Sequence, residues 1–140
     1  MDKTVIAHDA EEMEEIGVDL AAHLKEGMVI SLVGLLGAGK TTLVKGLAKG
    51  LLIKEVVVSP SYLLARDYQG QLRLHHLDAY RVSSVDELAE VGLDRLLPPE
   101  EGVTVIEWPD NVEGIIDISD ITVVIDMRVD GSRSVRITQG

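Results

Sequence analysis

The sequence predicts an α/β fold, a single domain whose mixed central sheet is flanked by helices. Three stretches carry that expectation. The apolar run 28–33 breaks into a glycine-rich turn and passes directly into a segment with helical apolar spacing. Two extended stretches, 61–68 and 72–78, meet across Gln69-Gly70-Gln71, the pattern of an antiparallel hairpin. Two more, 121–127 and 134–138, meet across Asp130-Gly131, a strong hairpin signal. Antiparallel hairpins beside a strand–turn–helix unit make the sheet mixed rather than all-parallel.

In chain order, residues 4–7 read as a first strand. Asp9 then serves as a helix N-cap, with Glu12 completing a capping box. Met13, Ile16, Leu20 and Leu24 keep helical spacing, and Gly27 closes that helix. The acidic cluster Glu11, Glu12, Glu14 and Glu15 is a solvated first turn, where negative charge suits the helix dipole. The helix after the glycine turn carries Leu43, Val44, Leu47 and Leu51 inward and Lys45 and Lys49 outward, with Gly50 as its C-cap. Residues 56–58 are strand-like, and Ser59-Pro60 ends them. Ser84 and Glu87 form a second capping box before a short helix. Pro98-Pro99 marks a loop, and "VTVIEW", residues 103–108, is a buried strand.

A chain of 140 residues fits one domain, residues 1–140. It is large enough to bury about 68–70% of its unfolded surface. It has no cysteine, hence no disulfide and no thiolate metal site. It lacks the apolar core of a signal peptide and any stretch long enough to span a membrane, so a soluble, cytoplasmic protein is expected. The net charge of −11 excludes broad contact with a nucleic-acid backbone, which requires a basic face. Action in a nucleic-acid pathway through protein partners stays open. With no phenylalanine, the core rests on Leu, Val and Ile.

The chemistry concentrates in Gly34-Leu35-Leu36-Gly37-Ala38-Gly39-Lys40-Thr41, which satisfies G-x-x-x-x-G-K-[ST], the phosphate-binding loop. Glycines let consecutive backbone N–H groups converge on one anion, and the following helix adds the positive end of its dipole. Gly37, Ala38, Gly39, Lys40, Thr41 and Thr42 are therefore the expected nucleotide-binding residues. In such a loop the Lys40 amine reaches the β- and γ-phosphates and the Thr41 hydroxyl ligates Mg²⁺. A triphosphatase also needs acids near the metal and the attacking water. Asp78 and Glu107 end apolar strands, where ligands of open α/β sheets sit; the competing reading is a cap or an exposed strand end. Ser59-Pro60-Ser61 is either a hydroxyl-bearing loop at the γ-phosphate or an ordinary turn. His75 and His76 are adjacent, so on a strand they face opposite sides, and their spacing is not that of a helical metal pair. Trp108 either packs in the core or stacks on a base. No N-K-x-D is present to select guanine, which leaves ATP as the expected nucleotide.

"GLLGAGKTT", "SPSYLL", "HLDAYR" and "VIEWPD", in this order along a short chain, resemble the bacterial tRNA threonylcarbamoyladenosine biosynthesis ATPase family (TsaE/YjeE). The resemblance spans nearly the whole chain. It implies a P-loop nucleoside triphosphate hydrolase fold and an ATP hydrolase with Mg²⁺ that is slow alone and partner-dependent. The implied partners are TsaD and TsaB, which make threonylcarbamoyl-adenosine beside the tRNA anticodon, with tRNA touched only indirectly. It implies that Lys40 binds phosphate and Thr41 holds Mg²⁺. Residues 59–61 and 76–81 match switch-like loops. Glu107 matches the acid that approaches Mg²⁺ and its water, and Trp108 the residue beside the nucleotide. The expected catalytic set is thus Lys40, Glu107 and Asp78, and the metal set Thr41 and Glu107. Three positions depart from the family pattern: Leu35 stands where the family usually has Asp, Ser61 for Thr, and Met13 near a frequent Thr. The alternatives are a small-molecule kinase, against which the short chain lacks a lid and acceptor pocket, and a non-catalytic ATP-sensing module.

Overall fold

The middle of the sheet is built from its most uniformly apolar segments. The structure, a computed structural model, describes residues 2–35, 37–60 and 64–140. Its strands are β1 (Lys3–Ala7), β2 (Val29–Val33), β3 (Ala65–Tyr68), β4 (Leu74–Asp78), β5 (Val103–Glu107), β6 (Ile121–Met127) and β7 (Arg133–Gln139). They form one sheet in the order β1-β7-β6-β2-β5-β4-β3. β6, β2, β5 and β4 run parallel, while β3 and the β7–β1 pair add antiparallel edges. β4 and β5 are buried at every position, as strands covered on both faces must be. β6 instead alternates, burying Ile121, Val123 and Ile125.

Helices α1 (Ala10–Ala21) and α2 (Lys40–Gly50) cover one face. There Met13, Leu20, Leu43 and Leu47 meet Ile30, Leu32, Val103 and Val105. The short helices α3 (Val85–Glu90) and α4 (Ile115–Ile118) lie on the other side, where Leu88 and Ile115 meet Val29, Leu77 and Ile106. The strand alternation divides the two cores, so Ile30 and Val29 face apart. α1 and α2 cross backbone to backbone. A Cβ at Gly46 would lie 2.0 Å from the Glu14 carbonyl oxygen, and one at Gly17 would lie 2.3 Å from that of Leu43.

Both N-caps expected from the sequence are present: Asp9 accepts from the Glu12 N–H and Ser84 from that of Glu87. The Glu12 carboxylate, however, reaches back to the His8 N–H at 2.7 Å rather than to Asp9. Other local expectations are corrected. α1 ends at Ala21, and Gly27 (φ +88°) instead sits in the turn before β2, its N–H donating to the Gly102 carbonyl at 2.8 Å. α2 runs through Gly50, whose missing side chain makes room for Ala21; the left-handed residue beyond the helix is Leu52. Residues 56–58 form no strand: among the described residues no strand pairs with them, the Val58 N–H and carbonyl meeting the Tyr68 hydroxyl instead, and only Val57 is buried. Of the expected stretch 61–68, Ala65–Tyr68 is strand, and Ser61 lies outside the described residues. Among the described residues no helix is long and apolar enough to cross a membrane.

Candidate functional site

The site forms where β2 runs through the glycine turn into α2. Gly37 (φ +79°) and Gly39 (φ +109°) adopt left-handed backbone that other residues resist. Gly39 is the N-cap of α2 and has no side chain to offer, so no side chain caps the first N–H groups of the helix. That leaves the positive end of an 11-residue helix open to an anion.

Strand register brings the acids to this end. Asp78 pairs with Glu107, and Glu107 with Leu32, so β4, β5 and β2 finish together. Both acids fall on the face that α1 and α2 cover. Glu107 is 4% exposed and Asp78 5%. One Glu107 oxygen, Oε2, lies 2.6 Å from His76 Nε2. The other, Oε1, lies 3.9 Å from Lys40 Nζ. Asp78 Oδ1 accepts from the Tyr80 N–H at 2.8 Å. Lys40 Nζ is buried and has no hydrogen-bond partner among the described residues. Burial pushes its ammonium below its ordinary pKa, against the opposing pull of Glu107, Asp78 and Asp110.

Trp108 completes the wall. Regular alternation would turn it away from Glu107. Instead it takes a left-handed conformation (φ 58°) just before Pro109, and its ring lies 3.7 Å from Lys40 Nζ. Tyr80 packs on it, ring centroids 4.9 Å apart. Trp108 is thus neither wholly core nor free: it lies partly against the second core and partly against the lysine.

The resulting cleft, about 320 Å³, is lined by Gly37, Gly39, Lys40, Thr41, Thr42, Ser59, Asp78, Tyr80, Glu107 and Trp108. Of the residues expected to bind nucleotide, hold metal or act in catalysis, all line it except Ala38, which faces a second cleft of about 350 Å³; of the expected loop 59–61 only Ser59 lines it, and Ser61 lies outside the described residues. That second cleft also takes in Met13, His8 and Arg133, and it shares Gly37, Gly39 and Thr42 with the first. Arg66 and Arg81 line neither. Among the described residues no three His, Asp or Glu side chains are grouped to hold a metal unaided. A divalent ion at Thr41 and Glu107 would draw further ligands from phosphate and water, the habit of Mg²⁺.

Two contacts escaped the sequence reading, which placed His76 in a switch-like loop without joining it to Glu107 and did not consider Arg133. His76 shares the Asp78 face two residues earlier, so period-two spacing from an accepted site residue could have found it. His75 faces the other way, bonded to Asp67 and the Glu101 carbonyl. Arg133 reaches the loop from 95 positions along the chain, and nothing local signals that contact.

A mixed sheet whose central parallel strand passes through a glycine loop into a helix defines a protein of the P-loop fold class. The comparisons narrow this. Residues 7–135 match the family model "TsaE: Threonylcarbamoyl adenosine biosynthesis protein TsaE". The "tRNA threonylcarbamoyladenosine biosynthesis protein TsaE" of Treponema pallidum is 37% identical over 94% of this chain and 97% of its own length. The Bacillus subtilis protein of the same name is 38% identical over 91% of this chain and 80% of its own. The crystal structure of Bacillus subtilis YdiB superposes with a TM-score of 0.78 at 32% identity, covering 99% of this chain and 87% of that one. The chain belongs to the TsaE family.

Proposed function

We propose that the chain is a cytoplasmic ATP hydrolase that binds ATP with Mg²⁺ at the Lys40 cleft. It acts in tRNA threonylcarbamoyladenosine formation by assisting a TsaD–TsaB complex, and meets tRNA only through those partners. One observation carries the nucleotide reading. Lys40, 5% exposed as a residue, holds a buried amine with no hydrogen bond among the described residues at the mouth of an uncapped glycine loop. A phosphate oxygen is the partner that such an amine lacks.

The donor set fits the remaining ligands. Thr41 and Glu107 would hold Mg²⁺, which when bound draws charge from the phosphate oxygens. His76 fixes one Glu107 oxygen; the other, 3.9 Å from Lys40 Nζ, is in position to orient a water for attack. Lys40 supplies positive charge where negative charge builds up. Trp108 and Tyr80 form an apolar wall that shields this charge from solvent.

The test is phosphate release from ATP–Mg²⁺, with and without TsaD–TsaB, for the wild type and Lys40→Ala. The expected rate alone is roughly 10⁻⁴ to 10⁻² s⁻¹, altered by the partners and abolished in a folded Lys40→Ala. Wild-type turnover in that variant would overturn the reading. Stoichiometric binding without turnover would instead make the chain an ATP-sensing module, and transfer to a small acceptor would make it a kinase.

A further inference from the structure

The phosphate loop is held from outside by the last hairpin. Arg133, at the start of β7, donates from Nε to the Ala38 carbonyl at 3.1 Å and from Nη2 to the Gly37 carbonyl at 3.2 Å. Its Nη1 donates to the carbonyl of Gly131 in its own turn. That turn is itself fixed, since the Asp130 carboxylate accepts from the Ser132 N–H and hydroxyl at 2.9 and 2.6 Å. One planar guanidinium therefore spans two consecutive loop carbonyls and anchors them to the β6–β7 turn.

The peptide planes it grips are those with the least intrinsic preference. Ala38 lies between Gly37 and Gly39, and glycine allows the flanking planes to rotate at little cost. The Gly37–Ala38 plane is tied at both ends, its N–H donating to the Leu35 carbonyl at 3.1 Å. The Ala38–Gly39 plane is tied by Arg133 alone among the bonds described. In a trans peptide the N–H points opposite to the C=O. Holding the Ala38 carbonyl outward therefore turns the Gly39 N–H away from Arg133, at the N-cap of α2. Charge-assisted bonds from a rigid fork suit this task better than a single flexible ammonium.

We propose that Arg133 is a positioning residue for phosphate binding, presetting the direction of the loop's N–H groups from the terminal hairpin. This rests on the reading that the loop takes phosphates. It makes a specific claim: the contribution concerns the phosphates common to all ligands, not the base or the γ-phosphate.

The experiment is calorimetric titration of ATP–Mg²⁺, ADP–Mg²⁺ and inorganic pyrophosphate–Mg²⁺ into the wild type, Arg133→Met, Arg133→Lys and Arg136→Met. Arg136 is exposed on the same strand and serves as the control. For Arg133→Met the expected result is a loss of about tenfold in affinity, similar for the three ligands. Arg133→Lys falls between, and Arg136→Met binds as the wild type. In the ligand-free Arg133→Met chain, hydrogen exchange at the Ala38 amide, which is bonded to the Leu35 carbonyl on a plane Arg133 holds, quickens while the β6–β7 amides stay protected. Unchanged affinity in folded Arg133→Met overturns the proposal. So does lost affinity together with lost β6–β7 protection, which would make the contact merely structural. A wild type that binds none of the three ligands overturns the phosphate reading itself, whereas a wild type that binds beside an equal Arg133→Met overturns only the clamp.

Discussion

A buried polar group without a hydrogen bond destabilises a fold by about 1–3 kcal/mol, more when charged. Lys40 carries that cost, and the Trp108 face, worth up to about 2 kcal/mol for a desolvated cation, offsets part of it. The arrangement makes sense if the amine awaits an anion. Glu107 shows the complementary logic: His76 holds one oxygen while the other remains available to the cleft. Glu107→Ala should therefore reduce the maximal rate of hydrolysis far more than ATP affinity, because orientation of water matters on the way to the transition state. His76→Ala should follow in the same direction by about tenfold, with His76→Gln, which keeps an N–H donor, recovering part of the loss. Steady-state kinetics beside calorimetry check this, and a variant that loses affinity while keeping its maximal rate would contradict it. At this scale the loop residues and strand-end acids were legible because motif and strand polarity are local properties. Trp108 was legible as a candidate with two open directions, core or cleft, and sequence could not choose between them. One left-handed residue before a proline cancels the alternation that sequence reasoning depends on.

The elements owe their placement to features of unequal visibility. Hairpins and N-caps could be read because turn and cap chemistry lies within a few residues. Helix ends could not: Gly27 and Gly50 looked like stops, yet one shapes a turn further on and the other allows close packing. The string 56–58 is apolar and β-branched, but a strand needs a partner, and which strand occupies the sheet edge is a tertiary outcome. The α1–α2 contact is the clearest case of information hidden in sequence. Gly17 and Gly46 lie inside helices, where glycine weakens the helix by about 1 kcal/mol relative to alanine. Here the sign reverses. Gly46→Ala would drive a methyl into the Glu14 carbonyl, 2.0 Å from its ideal position, and backbone on both sides limits relaxation. A loss of about 1–3 kcal/mol or more is expected from urea unfolding, despite the better helix propensity of alanine. An unchanged or raised midpoint would show that the helices separate freely. Because α2 begins at Lys40, this crossing also sets the position of the phosphate loop.

At the scale of the whole molecule, the parallel strands deliver Asp78 and Glu107 to their carboxyl ends, α2 delivers Lys40 and Thr41, and the terminal hairpin braces the loop between them. The central claim is that ATP with Mg²⁺ occupies this cleft. Trp108 allows it to be tested in place, since it is the only tryptophan in the chain and its ring lies 3.7 Å from Lys40 Nζ. The measurement is tryptophan emission during titration with ATP–Mg²⁺ and ADP–Mg²⁺, with GTP as the specificity control and calorimetry on the same samples. A saturable change is predicted at the concentrations where calorimetry shows binding, weaker with GTP and lost in the Lys40→Ala, Thr41→Ala double variant. A flat trace while calorimetry shows binding, or an equal response from the double variant, would place the nucleotide elsewhere and contradict the account.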